Sequence, residues 1–148
     1  MVLPEPRPGL VIRYGYLWRD EANRGREEAS KDRPCVVVLA VQRRGGAIVV
    51  TVAPVTHTPP PEGGGAVEIP AGTKRRLGLD EHRSWVVTRD LNEFVRPGPD
   101  LRPVPRRRPT TFAYGLLPSD LYNAVRGRVL EHVRAGTVQF VRRDDSGP

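Results

Sequence analysis

Two valine-rich runs, PCVVVLAV (34–41) and AIVVTVAPVT (47–56), stand on either side of QRRGG. Continuous apolar runs of this length, rich in branched residues, predict strands buried on both faces. The glycine pair between them predicts a hairpin. No other feature constrains the chain so strongly, because a buried hairpin needs further strands and at least one covering element around it. The surrounding sequence supplies them in short pieces. GLVIRYGYLW (9–18) alternates Val11, Arg13 and Gly15 with Leu10, Ile12, Tyr14 and Tyr16. AVEIP (66–70), SWVVTRDLNEFV (84–95), TTFAYGLL (110–117) and TVQFV (137–141) complete the strand candidates. The 15 glycines and 16 prolines of the 148 residues punctuate these runs and leave no regular alternation of strands with long helices. A doubly wound nucleotide-binding fold is thereby disfavoured. The expected fold is mainly β: a small barrel or curled sheet of five to seven antiparallel strands with a C-terminal amphipathic helix.

That helix is predicted from about Asp120 to Ala135, capped by Ser119 and stopped by Gly136. Leu121, Val125, Val129 and Val133 recur every four residues along one stripe. GTKRRLGLD (72–80) predicts one or two helical turns, whereas HTPPPEGGG (57–65) cannot be regular structure. The charged stretch RDEANRGREEASKD (19–32) reads as a loop or a short exposed helix. The proline-rich stretch 95–109 reads as an extended excursion, and RRDDSGP (142–148) as a tail. One domain over 1–148 is expected, with its core at about 9–140.

Composition narrows the function classes. The longest apolar run is far below the roughly 18–20 residues of a membrane helix. MVLPEPRPG lacks a basic start followed by an apolar stretch, so no secretory signal is visible and a soluble cytoplasmic protein is expected. A single cysteine, Cys35, excludes a disulfide scaffold and a cysteine-rich zinc site, and its place inside an apolar run predicts a buried structural thiol. The three scattered histidines speak against a histidine-based metal site, and neither metal nor cofactor is expected. GxxxxGK[ST], HExxH, paired CxxC and GxSxG motifs are missing from the sequence. The formal charge is +7, and all but two of the 24 basic residues are arginines, which suits a polyanionic partner such as nucleic acid. Five arginines against Asp100 place more than half of that charge in 95–109.

Polar residues at strand ends are the remaining candidates for chemistry. Antiparallel pairing about QRRGG brings Arg33, at the start of the first run, beside Thr56, at the end of the second. His57 follows Thr56, and Glu27 and Glu28 precede Arg33 in the charged loop. Arg33 can equally be a solvated strand entrance paired with Asp32 or Glu28.

The order of these segments resembles the MazF/PemK family of toxin endoribonucleases. The family pattern runs through a Gly-led strand, a loop with G-x-E, R-P before an apolar strand, an apolar strand ending in P-[IV]-T, a strand with a polar core, and a G-x-[LI] strand leading into a helix. Here these read GLVIRYGYLW, Gly25-Arg26-Glu27, Arg33-Pro34-CVVVLAV, Pro54-Val55-Thr56, WVVTRDLNEFV, and Tyr114-Gly115-Leu116-Leu117. Leu10 stands where an aspartate is usual, and the polar core Arg89-Asp90-Leu91-Asn92-Glu93 lacks the usual arginine. The resemblance implies a homodimer of SH3-like barrels that cleaves single-stranded RNA without metal and is neutralised by an acidic antitoxin protein. It implies Arg33 and Thr56 as the catalytic pair; the chemistry also needs a base, for which Glu27 and His57 are the candidates. Arg89 and Asp90 would border the RNA. Arg106, Arg107 and Arg108 would form an approach path for RNA or a docking strip for the antitoxin. The alternative is a non-catalytic SH3-like module that binds nucleic acid or an acidic protein segment.

Overall fold

The valine runs form the centre of the sheet in the computed structural model, which describes residues 4–18, 31–61, 64–96 and 100–143. Strand β1 is Leu10–Tyr16, β2 is Lys31–Gln42 and β3 is Ile48–Thr56. β2 and β3 pair antiparallel from Cys35↔Pro54 to Gln42↔Ile48, around a turn in which Gly45 and Gly46 both have positive φ. β1 lies antiparallel along the other edge of β2, from Val11↔Val36 to Tyr16↔Lys31. Away from the turn both faces of the hairpin are covered, whereas Leu39 and Val41 near the turn are exposed and depart from the expected burial. Val36 and Val38 face one apolar cluster with Val11, Ala53 and Val55, while Cys35 and Val37 face another with Tyr14, Val50, Val52 and Phe94. Burial on both faces is the physical reason the runs are continuous rather than alternating.

Seven further elements close around this centre: β4 (Ala66–Glu68), α1 (Ala71–Leu77), β5 (Trp85–Val87), β6 (Asp90–Val95), β7 (Ala113–Leu116), α2 (Ser119–Ala135) and β8 (Gln139–Arg142). The sheet order is β4-β5-β3-β2-β1-β7, with β6 on β3 and β8 on β6. The result is the expected mainly β, curled half-barrel with a C-terminal helix, built from eight strands among the described residues.

The eighth strand arises because SWVVTRDLNEFV breaks in two. β5 pairs the end of β3 (Val55↔Val86) and β6 pairs its beginning (Val52↔Asn92). Three steps along β3 therefore face six along its partner, and the surplus is taken up in a corner at Thr88 and Arg89. Thr88 is fully buried there, with its N–H on the Gly65 carbonyl at 2.9 Å. The antiparallel expectation fails at one pairing among the described strands, where β8 runs parallel to β6. Helix α2 carries the chain back across the sheet before β8 begins, which is the connection a parallel pair requires.

α2 packs Val125 and Val129 into the first cluster, and Tyr122 donates its hydroxyl to the Val38 carbonyl at 2.8 Å. The register of β2 shifts between Val37 and Leu39, so that carbonyl lies at a bulge. Two details of the helix differ from expectation. Pro118 occupies the N-cap position and Ser119 is already helical, with no side-chain cap. Proline offers no side-chain acceptor; it fixes φ at the helix entrance, and its carbonyl starts the helix by accepting from the Tyr122 N–H at 2.9 Å. Val133 is half-exposed, because the helix end has passed the sheet by the time the stripe reaches it. Gly136 closes the helix in the left-handed conformation as expected. Among the described residues no helix is long and apolar enough to cross a membrane.

Candidate active-site cleft

The hairpin register sets the first two residues of the site. Cys35 is paired with Pro54, so two steps towards the open end Arg33 lies opposite Thr56. On the other edge of β2, Arg33 pairs with Tyr14, and Pro34 with Arg13. β7 adds Tyr114, whose hydroxyl accepts from Arg13 Nη1 at 3.2 Å. These residues wall a cleft of about 590 Å³ that also holds His57, Lys74, Asp80 and Arg107. Arg33, Thr56 and His57, named from sequence, thus line one cavity.

Arg33 is half-buried and held but not saturated. Nη1 donates to the Val55 carbonyl at 3.4 Å, and the guanidinium lies 5.2 Å from the centre of the Trp18 ring. Nε is buried with no partner among the described residues. Asp32 does not pair with Arg33; it lies 3.6 Å from Arg102. Thr56 Oγ1 accepts from the Thr58 N–H at 3.2 Å, which orients the hydroxyl and leaves its proton to donate.

His57 belongs to a chain of polar contacts. Its Nε2 is 2.6 Å from Asp80 Oδ2, and its ring sits edge-on to His82 at 5.4 Å. The second Asp80 oxygen accepts from Lys74 Nζ at 2.6 Å. Lys74 is itself buried and donates further to Ser84 Oγ at 2.6 Å and to the His82 carbonyl. Partial burial opposes ionisation of Asp80. Hydrogen bonds from Lys74 and His57, with the charge of each, outweigh it and hold the carboxyl below its ordinary value. Three donor bonds thus fix Lys74, Lys74 fixes Asp80, and Asp80 fixes one ring nitrogen of His57, leaving Nδ1 as the remaining ring nitrogen.

Arg107 enters the cleft from the proline-rich excursion. Its Nη2 donates to the Leu77 carbonyl at 2.7 Å and Nη1 to the Tyr114 carbonyl at 3.3 Å. Gly78, the left-handed C-cap of α1, makes room: a Cβ there would fall 2.5 Å from Arg107 Nη2. Arg106 and Arg108 are exposed and do not line the cleft. Asp80 offsets Lys74 and Asp32 offsets one arginine, so Arg13, Arg33 and Arg107 still leave the cleft positive. Arg89 and Asp90 occupy a neighbouring hollow of about 790 Å³, which meets the cleft at Thr56 and Thr58. Glu27 and Glu28 lie outside the described residues.

Cys35 is fully buried beneath this end of the sheet. Burial pushes its thiol up, and the nearby Arg33 charge opposes that only in part, so it is a structural thiol. Sequence reading missed Arg13, Lys74, Asp80 and Tyr114. Arg13 is a polar residue on an otherwise apolar strand, which is a usable signal. Lys74 and Asp80 meet only because α1 ends in a tight cap, and no sequence spacing announces that pair. The chain matches no family model, no curated protein and no solved structure.

Proposed function

We propose that this chain is a MazF/PemK-like endoribonuclease that cleaves single-stranded RNA without metal, as the toxin of a toxin–antitoxin pair. The observation that supports it best is the single cleft lined by Arg33, Thr56 and His57 together with Arg13 and Arg107. Attack of a ribose 2′-oxygen on the adjacent phosphorus concentrates negative charge on the phosphate oxygens. The Arg33 guanidinium and the Thr56 hydroxyl are donors placed to meet that charge before it develops. Arg13 and Arg107 hold the flanking backbone through their charge.

A base must take the 2′-proton. Of the two candidates, His57 stands on the cleft wall, and Asp80 holds its Nε2 so that Nδ1 is the accepting atom. The 2′-oxygen forms the new bond to phosphorus, the bond from phosphorus to the 5′-oxygen breaks, and water in the open cleft protonates the departing oxygen. The products are a 2′,3′-cyclic phosphate and a 5′-hydroxyl. The same reading carries a second copy of the chain and an acidic antitoxin as partners, and a cytoplasmic site of action. Incubating the purified chain with single-stranded RNA in excess EDTA tests it. Products with cyclic phosphate and 5′-hydroxyl ends are expected. Intact RNA, or cleavage that stops on chelation, would overturn the reading.

A further inference from the structure

A half-buried indole joins the cleft to the hollow beside it. Trp18 lines the hollow, and Arg33, whose guanidinium lies 5.2 Å from the centre of that ring, lines the cleft. Thr56 and Thr58 line both cavities, so the two are continuous at the proposed phosphate site. We propose that Trp18 is a stacking platform for an unpaired nucleobase, and that the hollow carries a single strand away from the cleft whatever its sequence; this rests on the reading that the cleft binds RNA.

A ring serves as a platform when it is held before the base arrives. The backbone just before Trp18 is clamped. The Leu17 N–H donates to the Asn92 side-chain oxygen at 3.0 Å, and the Leu17 carbonyl accepts from its amide at 2.7 Å. Asn92 is fully buried, so the clamp is anchored in the core. The Trp18 ring also packs edge-on to the buried Tyr16 at 5.1 Å. Little freedom is left to lose when a base settles on it. With Arg33 beside the ring, the base and the phosphate of one nucleotide are held together.

The rest of the hollow suits a strand of any sequence. Residues 59–61 and 64–66 are prolines, glycines and an alanine, and they line it without bringing a hydrogen-bonding side chain. Every base has a π face, so stacking is indifferent to which base is present. Positive charge frames the same loop. A Cβ at Gly64 would fall 3.0 Å from Arg128 Nη1, and one at Gly65 would fall 3.2 Å from the Arg89 side chain, so both exposed arginines lie against this backbone. They are placed to meet the phosphates that follow the stacked base. A duplex keeps its bases in its own stack and offers none to the ring.

Short oligodeoxynucleotides test this apart from cleavage, since they lack the 2′-hydroxyl. In a Trp85→Phe background Trp18 is the sole tryptophan. Its fluorescence should be quenched alike by single strands of adenine, cytosine or thymine, and neither by an abasic strand of the same length and charge nor by a duplex. By anisotropy of labelled strands, the base-bearing ones should bind about tenfold or more tighter than the abasic one. Trp18→Ala should close that gap, and Trp18→Phe should restore most of it. The abasic strand makes the phosphate contacts in every variant, so a disturbance of Arg33 does not mimic the result. Arg128→Ala should lower the slope of log K against log salt by about one. Equal binding of the abasic strand, or a gap that survives Trp18→Ala, would overturn the platform. An unchanged slope in Arg128→Ala would overturn the path of the strand. Stacking without any cleavage of RNA keeps the platform and removes the nuclease reading, and cleavage without stacking does the reverse. A Trp18 response to an acidic peptide and to no oligonucleotide would assign the hollow to a protein partner and overturn the proposal.

Discussion

The cleft and the proline-rich excursion are both arginine-rich, and they use arginine differently. In the excursion Arg106 and Arg108 project into solvent, while Arg107 is tied down and Arg102 lies beside Asp32 and Asp100. In the cleft Arg33 is half-buried, aimed by a carbonyl and an indole, with one guanidinium nitrogen left unpartnered. Exposed charge raises the local concentration of a polyanion and is screened by salt. Held, partly desolvated charge can act on a single phosphate. The excursion carries more than half of the net charge, yet the cleft carries the candidate chemistry. Net charge marks where a polyanion is drawn, and the hydrogen-bond geometry marks where it is acted upon.

The sharpest way to break this contrast lies on the His57 side. His57→Gln should lower the cleavage rate by about 10²–10⁴, the usual contribution of a positioned base. Glu27→Gln should cost less than about tenfold; the reverse ranking, by single-turnover rates, would move the base into the charged loop. Asp80→Asn should cost about tenfold in kcat with little change in KM, because it misorients the ring and leaves RNA binding alone.

Smaller effects sharpen the excursion's side. Replacing Arg106 and Arg108 together with alanine should weaken RNA binding equally for all sequences and reduce the slope of log K against log salt by about two. A sequence-dependent loss would give those residues a reading role. The smallest effect concerns stability. The folded-state value of Asp80 is depressed, so its contribution is present above the ordinary aspartate range and is lost as pH falls through that depressed value. The stability gap between the wild type and Asp80→Asn, from urea midpoints, should therefore shrink as the pH is lowered from 5 to 3. A constant gap would mean that ionisation of Asp80 contributes nothing to the fold.

The legibility of the sequence follows the same division. The β2–β3 hairpin was readable because each run is apolar without interruption and a glycine pair separates them. Once that hairpin is granted, Arg33 beside Thr56 follows from strand direction alone. The split of SWVVTRDLNEFV was not readable, since periodicity says that residues form strand but not which half of a neighbour they pair with. Arg107 in the cleft and Lys74 against Asp80 were unreadable for a related reason. Both contacts depend on how a cap and an extended segment fold back on the sheet, at Gly78 in each case. The helix stripe predicted Val125 and Val129 correctly and overran at Val133, because helical period carries no information about where the sheet beneath it ends.

The central claim is that the held arginine of the cleft, and not the exposed arginines of the excursion, performs the cleavage. Single-turnover cleavage of one saturating RNA by Arg33→Ala and by the Arg106→Ala/Arg108→Ala double variant, each confirmed folded by circular dichroism, tests it directly. Loss of about 10²–10³ in rate for the first and less than threefold for the second is the predicted result. Full activity in Arg33→Ala, with activity lost in the double variant, would contradict it.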